Sequence, residues 1–194
     1  AGTRFSFDML GEGARTAADA QRYFDAYAAA IESISATVRG DSVETANGIS
    51  LKLSALHPRY EFRQKRRVMA ELLPRVKALA LMSKQGGVGF SIDAEECDRL
   101  EISMDIFEAL ARDDELAGWD GLGFVLQSYH KRAYLLADWL AVLARETSRH
   151  FMVRLVKGAY WDGEIKRAQE LGLVAYPVFT HKQHTDISYL ACAQ

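Results

Sequence analysis

One feature constrains this chain more than any other: a short apolar run followed by a helical pattern, repeated along the whole sequence. The runs fall at residues 5–10, 49–53, 88–93, 122–127, 151–156 and 176–180. Glycine, proline, asparagine or aspartate bounds them, as expected of strands. Between them apolar residues recur at spacings of three and four. Tyr23, Phe24, Tyr27, Ile31, Ile34 and Val38 follow the first run, and Val68, Leu72, Val76, Leu79 and Ala80 the second. Leu100, Met104, Phe107, Leu110 and Ala111 follow the third, and Trp139, Leu140, Leu143 and Ala144 the fourth. Residues 162–171 and 186–193 continue the series. Pro74 should kink or shorten the second helix, and Pro177 sits near the start of the sixth run, where proline is tolerated. This alternation predicts a parallel sheet with helical crossovers.

Two architectures satisfy it. In a doubly wound sheet the strand ends spread along an edge and a site uses the switch point. In a (βα)8 barrel all strand C-termini meet at one mouth. Here each run ends on polar residues: Asp8, Lys52, Asp93, Gln127, Arg154 with Lys157, and Thr180. No Gly-x-Gly-x-x-Gly follows the first run. The reading is therefore an α/β (βα)8 TIM-like barrel, incomplete at about six βα units, with the chain expected to continue past Gln194. Asp93 is expected to cap a helix that starts with acidic residues.

Composition removes several function classes. The 24 basic residues are interspersed with 26 acidic ones, for a net charge of −2, so there is no field for nucleic acid. Two distant cysteines, Cys97 and Cys192, make no disulfide framework and fit a reducing compartment. No apolar run approaches the ~20 residues of a membrane helix, and residues 1–5 lack a signal-peptide core. The expected address is the cytoplasm. His181 and His184 have no further ligand at metal spacing, which argues against zinc, and there is no phosphate loop or serine triad.

The most informative stretch is Arg154-Leu155-Val156-Lys157-Gly158-Ala159-Tyr160-Trp161-Asp162. It reads as a buried strand that delivers two cations, a glycine and two aromatics to the mouth. Burying Arg154 and Lys157 requires an anion or strong hydrogen bonds. Gly158 allows close backbone approach, and Tyr160 and Trp161 offer flat faces for stacking. Together they suggest a nucleotide-like cofactor, against the plainer reading of packing and surface charge. Lys52 at a buried strand end is either a Schiff-base amine or a carboxylate anchor, against the plainer reading of a structural ion pair with Asp93.

Residues 5–12, 51–60, 92–96, 154–162 and 176–180 resemble proline dehydrogenase, and more closely the proline dehydrogenase domain of bacterial bifunctional proline utilisation flavoenzymes. The resemblance is collinear over nearly the whole chain, which it makes the N-terminal three-quarters of a barrel domain, residues 1–194. It implies a distorted (βα)8 barrel holding non-covalent FAD. L-proline would be oxidised to Δ1-pyrroline-5-carboxylate by hydride transfer to flavin N5, with electrons passing to quinone at the inner membrane surface. By the resemblance, Lys52 would pair with the proline carboxylate beside Asp93 and Ala94. Leu155 and Tyr160 would line the proline pocket, and Glu12 would close a gate. Arg154 would lie near flavin N5 and Gln127 on the isoalloxazine edge. Val156, Lys157, Gly158 and Ala159 would meet the cofactor, Trp161 would pack near the adenine, and Thr180 and Lys182 would add contacts. The family's arginine pair for the proline carboxylate would lie beyond Gln194. Two rivals stay open: a Schiff-base aldolase using Lys52, and a non-catalytic fragment that self-associates into a homo-oligomer through open strand edges.

Overall fold

The computed structural model describes residues 3–9, 13–39 and 42–194. Strand β1 (Ser6–Asp8) is followed by helix α1 (Ala17–Ser35), and β2 (Gly48–Leu51) by the short α2 (Leu53–Leu56) and by α3 (Lys65–Glu71) and α4 (Leu73–Gly86). Next come β3 (Gly89–Ile92), α5 (Leu100–Ala111), β4 (Leu122–Gln127) and α6 (Ala133–Thr147). Strand β5 (Met152–Val156), α7 (Trp161–Glu170) and α8 (Lys182–Cys192) complete the order. Among the described residues five strands pair in parallel in the order β1-β2-β3-β4-β5.

The sheet is curled into an incomplete barrel. Ser50 on β2 and Arg154 on β5 are three strand spacings apart, about 14 Å if the sheet were flat. Yet the Arg154 guanidinium donates to Ser50 Oγ at 3.2 Å. The core lies on the convex side, between the strands and the helices. Ile49, Leu51, Phe90, Ile92, Leu122, Phe124 and Leu126 pack there against Tyr27, Ile31, Val76, Leu79, Ile106, Phe107, Leu140 and Leu143. Phe107 makes edge contacts with Phe124 and Phe151, at ring-centroid distances of 5.0 and 4.9 Å. Small residues line the concave side. A methyl at Gly123 would strike Ser91 Oγ at 2.5 Å and the Met152 carbonyl at 2.6 Å.

Pro74 shortens the second helical segment as expected, standing in the first turn of α4 just after the break from α3. Three expectations are corrected. Residues 176–180 form no sixth strand. Pro177 has no N–H to give a ladder, and its carbonyl accepts from Lys131 N–H at 3.0 Å, while Phe179 N–H donates to the Tyr129 carbonyl at 2.8 Å. Val178 makes a single antiparallel bridge to His130 and is buried in a small cluster with Tyr129 and Cys97, so its apolar pattern serves that cluster and not the sheet. Asp93 does not cap a helix: residues 94–96 are irregular, a 3-10 turn covers Cys97–Arg99, and α5 begins at Leu100. Finally, β5 is not a buried strand. It is an edge of the sheet, with Val153 exposed like Phe5 and Phe7 on and beside β1. Among the described residues no helix is long and apolar enough to cross a membrane.

Candidate active site

The C-terminal ends of the strands open into a cleft of about 500 Å³ lined by Asp8, Lys52, Asp93, Ala94, Val125, Gln127, Arg154, Val156, Lys157, Gly158, Ala159 and Tyr160. Lys52 stands between β2 and α2. Its N–H donates to the Tyr27 hydroxyl at 3.1 Å, and burial pushes that phenol up to about 12, so it stays neutral. The Lys52 ammonium lies 2.7 Å from Asp93 Oδ2 and 3.5 Å from Asp8 Oδ1. Asp93 extends the β2–β3 ladder through its N–H to the Leu51 carbonyl at 2.9 Å. Its other oxygen, Oδ1, accepts from Arg154 Nη2 at 2.8 Å. One carboxylate thus joins the two cations that end β2 and line β5.

Exposure ranks these pairs. The Lys52 and Asp93 side chains are 14% and 11% exposed, whereas Arg154 is 43% exposed. A charge-assisted bond at the first pair contributes roughly 1.5–3 kcal/mol. At Arg154 water screens the interaction, and about 0.2–1 kcal/mol is the proper scale. The expectation of a buried Arg154 and Lys157 is corrected accordingly: as part of an edge strand and its exit loop, both are open to solvent.

Lys157–Tyr160 crosses the mouth from β5 to α7. Gly158 has φ +134°, and a Cβ there would lie 2.5 Å from the Tyr129 ring. The glycine is therefore required by internal packing, whatever it admits on its other side. Gln127 holds the next residue: its Oε1 accepts from Ala159 N–H at 3.1 Å, while its Nε2 donates to the Glu95 carbonyl at 2.9 Å.

A second cleft of about 300 Å³ adjoins the first and shares Lys157 and Gly158 with it. Tyr129, Trp161, Phe179, Thr180, Lys182 and Thr185 complete its wall. The Trp161 indole N–H donates to the Phe179 carbonyl at 2.8 Å, which fixes the ring while leaving it 42% exposed. Asp186 bridges Lys157 and Lys182 at 2.5 and 2.7 Å. The two ammoniums hold the Asp186 carboxyl below its ordinary range, and Asp186 in turn raises Lys157.

The structure therefore brings Lys52, Asp93, Ala94, Gln127, Arg154, Val156, Lys157, Gly158, Ala159 and Tyr160 into one cleft, with Trp161, Thr180 and Lys182 in its neighbour. Leu155 is placed elsewhere. Strand alternation turns it away from Arg154 and Val156, and it packs against the apolar core. Glu12 lies outside the described residues. Sequence reasoning missed Asp8 as a partner of Lys52, although its place at a strand end was the signal. It also missed Asp186, signalled by its i,i+4 spacing from Lys182. Glu95, buried behind Asp93, gave no signal beyond its charge. Among the described residues no group of three or more His, Cys, Asp or Glu side chains could hold a metal ion.

Comparison with known proteins gives one result throughout. The family model described as proline dehydrogenase matches residues 1–194. The bifunctional protein PutA of Salmonella typhimurium is 57% identical over 193 residues, covering 100% of this chain and 15% of that protein, and PutA of Escherichia coli gives the same values. The crystal structure of a Bradyrhizobium japonicum proline utilization A (PutA) mutant superposes with a TM-score of 0.96 at 57% identity, covering 98% of this chain and 20% of that one. The chain thus spans about 15% of the length of the curated relatives it matches.

Proposed function

The chain belongs to the proline dehydrogenase family, and from that premise we propose that it forms the Lys52–Asp93–Arg154 wall of a site where L-proline is oxidised against bound FAD. Residues 1–194 would be the N-terminal part of the barrel domain, contributing five of its strands. The observation that carries the reading is Asp93, which bridges Lys52 and Arg154 over the cleft.

The residues present fit FAD by their donor chemistry and order. A guanidinium (Arg154) and an amide (Gln127) come first, then two ammoniums (Lys157 and Lys182), then an exposed indole face (Trp161), along two adjoining clefts that share Lys157 and Gly158. That order suits a polar ring edge, a pyrophosphate and a stacked adenine. Asp186 is the anion that a pyrophosphate would displace from the two lysines. When bound, FAD would supply the two-electron acceptor, taking a hydride at N5 as L-proline becomes Δ1-pyrroline-5-carboxylate.

The chain's own residues bind and orient. The Lys52 ammonium, held between Asp93 and Asp8, is a fixed cationic donor for the proline carboxylate. The same pinning disfavours its use as a free amine nucleophile, and with it the Schiff-base reading. Asp93 keeps Lys52 and Arg154 in register, which positions the substrate ring relative to the cofactor-facing strand. Arg154, permanently charged, would offset negative charge developing at a bound acceptor. Tyr160 closes one side of the cleft. Electrons would leave to a quinone at the inner membrane surface, with the enzyme otherwise cytoplasmic. The uncovered Phe5, Phe7 and Val153 of the edge strands support packing against further protein of the same polypeptide or a second copy.

Steady-state proline oxidation by the full-length protein tests this reading. Lys52→Ala should raise KM for proline, and Arg154→Met should lower kcat. Unchanged kcat and KM in both variants would contradict it.

A further inference from the structure

Behind the cleft, Glu95 is 8% exposed and is used at three atoms. Its Oε1 accepts from Ser54 N–H at 3.0 Å, its Oε2 from Arg99 Nη1 at 2.8 Å, and its carbonyl from Gln127 Nε2 at 2.9 Å. Two of these bonds, to Ser54 and Gln127, lead to the site. Ser54 is two residues past Lys52, and it also holds the chain before α1, accepting from Gly13 N–H on its hydroxyl and from Ala14 N–H on its carbonyl. Gln127 passes the restraint on to Ala159 N–H. Glu95's own segment is anchored from behind, because Cys97 N–H donates to the buried Glu164 carboxylate at 2.7 Å. Arg99, stacked 5.6 Å over the Tyr60 ring, supplies the cation that a buried carboxylate needs.

We propose that Glu95 is a positioning residue that sets both walls of the site at once, its carboxylate fixing the chain beyond Lys52 and its main-chain carbonyl fixing Gln127 and, through it, Ala159. Glu95 touches neither substrate nor cofactor in this reading, which rests on the proposed function. Small shifts matter here, because placement of the Lys52 ammonium and of the 157–160 loop to within about 0.5 Å decides whether two ligands meet.

The test uses full-length protein carrying Glu95→Ala or Glu95→Gln. The probe is a five-membered-ring carboxylate without the ring amine, titrated as a competitive inhibitor, alongside the visible spectrum of the flavin. Glu95→Ala should raise the inhibition constant at least tenfold and shift the flavin bands. Glu95→Gln, whose amide oxygen can still accept from Ser54 N–H although the Arg99 bond is lost, should raise it only about threefold. An inhibition constant within twofold of wild type in Glu95→Ala would overturn the proposal. So would equal losses in the two variants, since a general loss of stability does not distinguish them. Should Glu95→Ala fail to fold, Arg99→Met carries the test: a threefold or larger rise is expected, and no change overturns the proposal. Amide hydrogen exchange needs no ligand: Ser54 should exchange at least tenfold faster in Glu95→Ala, while Ala159, held through the main-chain carbonyl that the substitution keeps, should change less. If wild-type protein binds neither flavin nor the ring carboxylate, the functional reading falls, while the exchange rates still decide the role of Glu95.

Discussion

Gly158→Ala should destabilise the fold by about 3 kcal/mol, through backbone strain and one contact with Tyr129. At φ +134° the backbone is in a region that L-residues rarely enter, at a cost of about 1–3 kcal/mol. The added methyl would sit 2.5 Å from the Tyr129 ring, and Tyr129 is 2% exposed, so the ring has no free direction to move. Overpacking of this kind adds about 1–3 kcal/mol. For a domain of this size, about 3 kcal/mol lowers Tm by roughly 6–12 °C, readable by circular dichroism. The double variant Gly158→Ala/Tyr129→Ala separates the two causes. It should cost less than the sum of the single changes by at least about 1 kcal/mol, leaving the backbone strain. The reasoning fails if the single change costs under about 1 kcal/mol while flavin affinity drops more than tenfold. That result would assign the glycine to ligand approach and not to Tyr129.

Other outcomes follow from the same structure. Burial holds His130 at about 4 against an ordinary 6.5, so between those values the unfolded chain binds the extra proton. Stability should therefore fall as pH drops from 6.5 through 4, by up to about 3 kcal/mol. Buried Glu95 and Glu164, whose carboxyls are raised, act with the opposite sign. The difference between wild type and His130→Gln, measured by urea unfolding at several pH values, isolates the histidine, and parallel curves would refute its role. Asp93→Ala removes the bridge between Lys52 and Arg154, and the Lys52 bond alone is about 1.5–3 kcal/mol, or roughly ten- to hundredfold in kcat/KM for proline. Phe107→Ala, far from the cleft, should cost about 3–5 kcal/mol of stability and leave KM for proline unchanged in protein that remains folded at the assay temperature.

Legibility in the sequence followed the physics of each segment. Strand β4 is buried along its whole length, so its apolar run had unambiguous ends and the predicted boundaries match. The helices of the βα units were readable because Tyr27, Ile31, Val76, Leu79, Phe107 and Leu140 all meet one continuous core. Residues 176–180 misled because an apolar residue beside a proline looks the same whether it joins a sheet or plugs a satellite cluster. Only the partners of Pro177 and Val178, on the turn after β4, decide between them. Asp93 looked like a cap because capping is local, whereas its actual partners, Lys52 and Arg154, are 41 and 61 residues away. Leu155 shows the opposite case. Period-two alternation alone sets it on the face opposite Arg154, where the structure packs it against the apolar core. The site's direct residues were visible as polar ends of apolar runs, but Glu95 was not, since its importance lies in hydrogen bonds that no spacing announces.

The most direct measurement is the visible spectrum of purified full-length protein as L-proline is added without oxygen. A flavin spectrum that bleaches on addition of proline, and does so more slowly in Arg154→Met, is the predicted result. A protein that takes up no FAD on reconstitution, or whose flavin bands are unmoved by L-proline while borohydride traps a carbonyl compound on Lys52, would contradict the account.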